Sequence, residues 1–177
     1  INGRGGRISA SSHRASVSPA FLSISIIMKL TLKYPFPADG GVNITEVNID
    51  RPVTARDLVI VGGNLDDDDT YFRATANALG IAPKFFDAVD FEDLEDINTK
   101  LDELGKALPA YPEGFTINRP KGRDVVDLQR DRTAENLVKV ITRLTGRPES
   151  EVLDLTLAQF TALVGKVSDF LGRRVTK

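Results

Sequence analysis

Between Lys29 and Tyr34 apolar and polar residues alternate, with Leu30 and Leu32 set against Lys29, Thr31 and Lys33. That is the period of a strand with one buried face. Pro35, Pro37 and Asp39-Gly40-Gly41 then predict a turn, because Pro fixes φ and Gly supplies positive φ. Val42 to Ile49 alternates again, with a slip of phase near Thr45-Glu46 that predicts a bulge. Together the two stretches predict a β-hairpin with a long connection.

Beyond Pro52 the period changes to that of helices. Thr54 and Asp57 have the spacing of a capping box, which opens a short helix through Leu58 to Val61 that Gly62-Gly63 ends. After Asp66 to Asp69, residues Tyr71-Phe72, Thr75-Ala76 and Leu79 recur at helical spacing, with Gly80 placed as the left-handed residue past the end and Pro83 after the stop. Asp90 and Asp93 form another capping-box pattern. Behind it Phe91, Leu94, Ile97, Leu101 and Leu104 fall on one helical face, and Gly105 closes the helix. Pro109 and Pro112 mark a linker.

The same order then returns. Phe115 and Ile117 predict a strand, Val125-Val126 and Leu128 a short helix, and Thr133 caps a helix carrying Leu137, Val140-Ile141 and Leu144. Gly146 and Pro148 stop that helix, and Thr156 and Gln159 open the last one. Its stripe, Leu157, Phe160, Leu163, Val167 and Phe170, lies 66 residues after Phe91, Leu94, Ile97, Leu101 and Leu104 at every position. Val47 to Pro52 (Val-Asn-Ile-Asp-Arg-Pro) is echoed by Phe115 to Pro120 (Phe-Thr-Ile-Asn-Arg-Pro), and Arg56-Asp57 by Arg123-Asp124. Generic helix patterns account for the stripes alone, but not for stripes, Arg-Pro pairs and Arg-Asp pairs in one order. The chain therefore contains a duplication, whose second copy lacks a counterpart of the strand Lys29 to Tyr34.

The expected fold is α+β and mainly helical. It has a small antiparallel sheet from 29–34 and 42–49, with 115–118 as the candidate third strand, and helices packed over one face. The expected organisation is a leader over residues 1–27, a first strand–helix unit over 28–105, a Pro-rich linker over 106–114 and a second, partial unit over 115–177.

Charge separates the units. The net charge is only -2, yet from Asn64 to Leu104 twelve Asp and Glu face three Lys and Arg, a balance of -9. From Phe115 onward twelve Lys and Arg face eight Asp and Glu, a balance of +4. Opposite signs let the units attract each other, or another copy head to tail as a homo-oligomer. The alternative is two ordinary solvated surfaces. No stretch approaches the roughly 20 apolar residues of a membrane span, so no membrane partner is expected. The first 27 residues hold Arg4, Arg7 and Arg14 and no acid, and Met28 is the sole methionine. Their composition resembles a targeting peptide, but Pro19 precedes the apolar stretch and no small-residue cleavage site follows it. The favoured expectation is that translation starts at Met28.

Little chemistry can be built. Without cysteine, and with His13 as the lone histidine, neither a catalytic triad nor a Cys- or His-based metal site is available. Asp66 to Asp69 fails as a calcium loop, since counting from Asn64 the sixth and twelfth places hold Asp69 and Thr75. These acids fit a helix N-terminus better. Asp90, Glu92, Asp93, Glu95 and Asp96 could pair as glycosidase carboxylates, but they fall mostly on the solvent face of their helix. Gly3 to Gly6 is too short for a phosphate cradle. Arg143, Arg147, Lys166, Arg173, Arg174 and Lys177 are candidates for nucleic-acid contact, but Phe115, Phe160 and Phe170 sit at core spacing and a balance of +4 is a weak footprint. Arg51 and Arg119 are expected to pair with Asp57 and Asp124, or with helix carbonyls, where strand gives way to helix; the alternative is a partner-binding role. No catalytic, cofactor-binding or metal-binding residue is assigned, and no enzyme is expected.

Lys29 to Pro35, Val47 to Pro52, Arg56-Asp57 and the helix–Gly80–Pro83–helix run ending near Leu104 resemble the small tail assembly chaperones of contractile-tailed, Mu-like bacteriophages. The resemblance covers residues 28–105 and, in weaker form, 111–171; the family's usual single unit is here followed by a second. It implies a non-enzymatic protein of the host cytoplasm, absent from the finished virion. Such a protein coats the tape-measure protein and presents it to tail-tube subunits. The alternative is a small DNA-associated or regulatory prophage protein that uses its basic C-terminal unit.

Overall fold

The structure, a computed structural model, describes residues 27–172. Strand β1 (Met28–Pro37) pairs antiparallel with β2 (Asn43–Ile49). Met28 faces Ile49 and Thr31 faces Glu46, then Phe36 faces Ile44, so Leu32 to Pro35 lie opposite Thr45 alone. The phase slip read near Thr45 is thus real, but the extra residues belong to the partner strand. β1 also continues through Pro35 and Pro37, where the sequence pointed to a turn. Leu32, Phe36, Val47 and Ile49 are buried, while Lys29, Thr31 and Glu46 face water.

Among the described residues eight α-helices follow: α1 (Ala55–Val61), α2 (Asp68–Ala78), α3 (Pro83–Phe86), α4 (Phe91–Lys106), α5 (Gly122–Arg130), α6 (Ala134–Thr145), α7 (Glu149–Leu153) and α8 (Leu157–Gly172). The mainly helical α+β reading holds, and the duplication is written in the helices themselves. α2, α3 and α4 begin 66 residues before α6, α7 and α8, and α1 begins 67 before α5. Caps recur with them. Asp67 accepts from the Asp69 amide (3.2 Å), Asp90 from the Glu92 amide (2.9 Å) and Thr133 from the Asn136 amide (3.4 Å). At α8 both halves of the capping box form, from Thr156 N–H to Gln159 Oε1 (3.2 Å) and from Gln159 N–H to Thr156 Oγ1 (3.3 Å). Gly80 and Gly146 end α2 and α6 with φ of 67° and 68°. The short helices α3 and α7 were not foreseen; Pro83 and Pro148, read as stops, open them.

Two expectations fail. Residues 115–118 form no strand, and among the described residues the sheet has two strands. The segment lies between Pro112 and Pro120, and its Asn118 amide donates to the Leu144 carbonyl at the end of α6 (2.8 Å), not to a strand edge. The apolar stripe of α4 also starts late. Ile97 and Leu101 are buried, but Phe91 is 69% exposed, on the side of the first turn away from the β1 contact of Asp93.

One continuous cluster of buried side chains includes Phe36, Ile49 and Leu58 from the first unit and Leu137, Ile141 and Phe160 from the second. A short antiparallel joint ties the units together. Ala55 N–H donates to the Leu155 carbonyl and Leu157 N–H to the Val53 carbonyl, each at 2.9 Å, with Thr54 opposite Thr156. Nearby, Ala134 N–H donates to the Gly63 carbonyl at 3.1 Å. Gly63 has φ of 135°, and a Cβ there would collide with the Thr70 side chain, so only glycine fits. Arg56–Asp154 (2.6 Å) and Arg132–Asp66 (3.1 Å) also cross between units. Both are solvent-exposed and worth at most about 1 kcal/mol each. Among the described residues no helix is long and apolar enough to cross a membrane.

Candidate functional site

Three carboxylates are buried, and each holds backbone in place. Asp57 sits in the first turn of α1 and accepts Arg51 Nη1 and Nη2 as a bidentate pair (2.6 and 2.7 Å), the Thr54 amide (2.9 Å), the Thr54 hydroxyl (2.9 Å) and Asn77 Nδ2 (2.7 Å). Burial pushes its carboxyl pKa up, but the Arg51 guanidinium, Thr54 and Asn77 outweigh that and hold it below the ordinary carboxylate range. The sign follows from linkage. A group with a lowered native pKa contributes stability that is fully present above its unfolded pKa, about 4, and is lost as pH falls through the native value. Asp57→Asn should therefore flatten the acid limb of a stability-versus-pH curve below about pH 4. A limb of unchanged steepness in thermal melts across that range would refute the assignment.

Asp124 is the counterpart of Asp57 in α5, but its partner differs from expectation. Arg119 makes no ion pair among the described residues. Arg143 of α6 reaches Asp124 through Nε (3.2 Å) and Nη2 (3.0 Å), and the Lys121 amide adds 2.8 Å. Arg143 lies 66 residues after Asn77, so the second helix of each unit grips the buried acid of the first.

Asp93 corrects the reading of its cluster as a solvated face. It is 1% exposed, and its carboxylate accepts the amides of Lys33 and Tyr34, each at 2.9 Å. These are bulge residues of β1, whose amides have no ladder partner. Glu92 and Asp96 pair with Lys33 at 3.4 and 3.3 Å on the surface, and Asp90 caps α4. The Asp66 to Asp69 run is likewise accounted for, since Asp67 caps α2, Asp69 pairs with Arg73 (2.6 Å) and Asp66 with Arg132. Among the described residues no cluster of potential ligands could hold a metal ion.

The basic candidates scatter. Arg143 is exposed but bound to Asp124 and Asp127, Arg147 holds the Gly114 carbonyl and lies over the Phe115 ring, and Lys166 lies 3.4 Å from the centre of the Tyr111 ring. Of the aromatics, Phe160 is fully buried and Phe170 is half exposed. His13, Gly3 to Gly6, Arg173, Arg174 and Lys177 lie outside the described residues.

Two surface features remain. The first is a cleft of about 220 Å³ between α2 and α4, lined by Asp68, Tyr71, Phe72, Thr75, Leu94 and Asn98. The second is a set of large apolar side chains left in water on the hairpin, with Ile27, Tyr34 and Val42 exposed to 63%, 53% and 66%. The cleft sets the Asp68 carboxylate and the Tyr71 and Thr75 hydroxyls beside the apolar Phe72 and Leu94, and the hairpin offers apolar contact. No family model, curated protein or solved structure matches this chain.

Sequence reasoning missed both features. A cleft between helices separated by other elements has no local signature, and Tyr34 and Val42 read as ordinary strand positions. The signal for the cleft was available only by comparing the units, because its lining is more polar than the matching positions of the second unit.

Proposed function

We propose that this chain is a non-enzymatic assembly chaperone of phage or prophage tails, holding the tape-measure protein in the host cytoplasm until tail-tube subunits replace it. The reading rests on the family resemblance of residues 28–105. The single structural observation that supports it is that apolar side chains stand in water along the hairpin, Ile27 at its open end, Tyr34 in the bulge and Val42 at its turn. A helical tape-measure protein presents apolar stripes, and laying one against the hairpin removes both surfaces from water at roughly 25 cal/mol per Å². Release needs no bond chemistry, only a tube subunit that covers the same stripe better.

The test is co-expression with a cognate tape-measure protein. The two should co-purify, and the double variant Tyr34→Ser, Val42→Ser should weaken retention at least roughly tenfold, as loss of central apolar contacts does. Failure to co-purify sinks the proposal. Arg119 and Arg130 are exposed and make no ion pair among the described residues, which favours a second reading as a DNA-associated prophage regulator. In that case the chain should shift duplex DNA with steep salt dependence.

A further inference from the structure

The two units are joined head to tail, not about a two-fold axis. α1 of the first unit packs against α2 and also against α6 and α7 of the second, whereas α5, its counterpart, packs chiefly against α6. One end of the chain therefore has a helix without its second seat, and the other end has a seat without a helix.

Four observations locate these ends. First, the cleft residues Tyr71, Phe72, Thr75 and Leu94 match Leu137, Val138, Ile141 and Phe160, each 66 residues on. All four of the latter are buried, while the former line open space. Second, Ala55 and Leu58 of α1 are fully buried, but their counterparts Gly122 and Val125 are exposed and half-buried, and Val126 is 56% exposed. Third, the joint of Val53 to Ala55 with Leu155 to Leu157 has an unmade equivalent. Pro120 to Gly122 corresponds to its first side and Val89 to Phe91 to its second. The Gly122 and Phe91 amides and the Pro120 and Val89 carbonyls make no such bond among the described residues. This also fits Phe91, since its counterpart Leu157 is half-buried where the joint forms. Fourth, Lys121 and Asp90 take the places of Thr54 and Thr156, so the unmade joint would set a cation against an acid. The wider charges agree, at +4 for the second unit and -9 over the first unit's helices.

We propose that α5 of one copy of this chain seats in the α2–α4 cleft of the next, remaking between copies the joint that ties the units within one. The two patches differ, so the contact is heterologous and grows into a filament or closes into a ring. The inference stands apart from the tape-measure reading, which uses the hairpin.

Sedimentation velocity of the full chain, from micromolar to submillimolar concentration, tests it. The wild type should grow beyond a dimer with concentration, and association should weaken in high salt. Val126→Asp blocks α5 and Asn98→Arg blocks the cleft; each alone should weaken self-association at least roughly tenfold. Mixed together, the two variants retain one working contact and should form a dimer that does not grow. A monomeric wild type, or a mixture that does not pair, overturns the proposal. As a check independent of those surface changes, Asp90→Cys with Lys121→Cys in this cysteine-free chain should give a ladder of disulfide-linked multimers. Monomers alone would again overturn it.

Discussion

Phe160→Ala should lower stability by about 3–5 kcal/mol, the usual cost of emptying an aromatic core site, and should unfold the hairpin together with α8. Phe160 is fully buried in α8, and the cluster it belongs to runs without a break to Phe36 and Ile49 on the hairpin. With total stability of about 5–15 kcal/mol expected for a chain of this kind, that loss is a large share of the whole. The melting temperature should fall by about 10 °C or more. Thermal melts followed by far-ultraviolet circular dichroism and by tyrosine fluorescence should give one coincident transition. Two transitions, with the first unit surviving, would show that the units are thermodynamically separate.

The second large effect is expected at Asp93. Asp93→Ala leaves the amides of Lys33 and Tyr34 without an acceptor at a buried site, and hydrogen bonds to a charged group are worth about 1.5–3 kcal/mol each. A net cost of about 2–4 kcal/mol follows, allowing for water reaching the emptied site. The surface pairs of Lys33 with Glu92 and Asp96 remain in the variant and cannot replace those bonds, because they engage the ammonium group and not the backbone. Hydrogen exchange should speed first at Lys33 and Tyr34 and then along β1. Asp93→Asn should recover less than half of the loss, since its NH2 group faces an amide that is itself a donor. A change within about 0.5 kcal/mol, the range of ordinary surface substitutions, would mean the bulge is held by something else.

Asp93 also shows where reading the chain stops. On the helix period it lies among Asp90, Glu92, Glu95 and Asp96, and only its partners on β1, about 60 residues away, make it a buried anchor. Nothing local distinguishes it from its solvated neighbours. The longer helices fared better. Capping residues, Gly80 and Gly146, and the 66-residue offset of the two stripes are local signals, and they place α2, α4, α6 and α8. α3 and α7 were invisible because one turn of helix has no period to read. The 115–118 segment had strand composition but no strand edge to meet, and its amide went to the end of α6 instead. For the buried acids, sequence paired Arg51 with Asp57 correctly and missed Arg143 on Asp124, because a side chain one helix away can substitute for one five residues back.

The Thr54–Thr156 joint has a consequence for the order of events on the ribosome. Val53 and Ala55 find their partners about 100 residues later, at Leu155 and Leu157. At roughly 5–20 residues per second, the first unit waits about 5–20 s before its seat emerges. During that interval the face of α1 that later meets α6 has no cover from its own second unit.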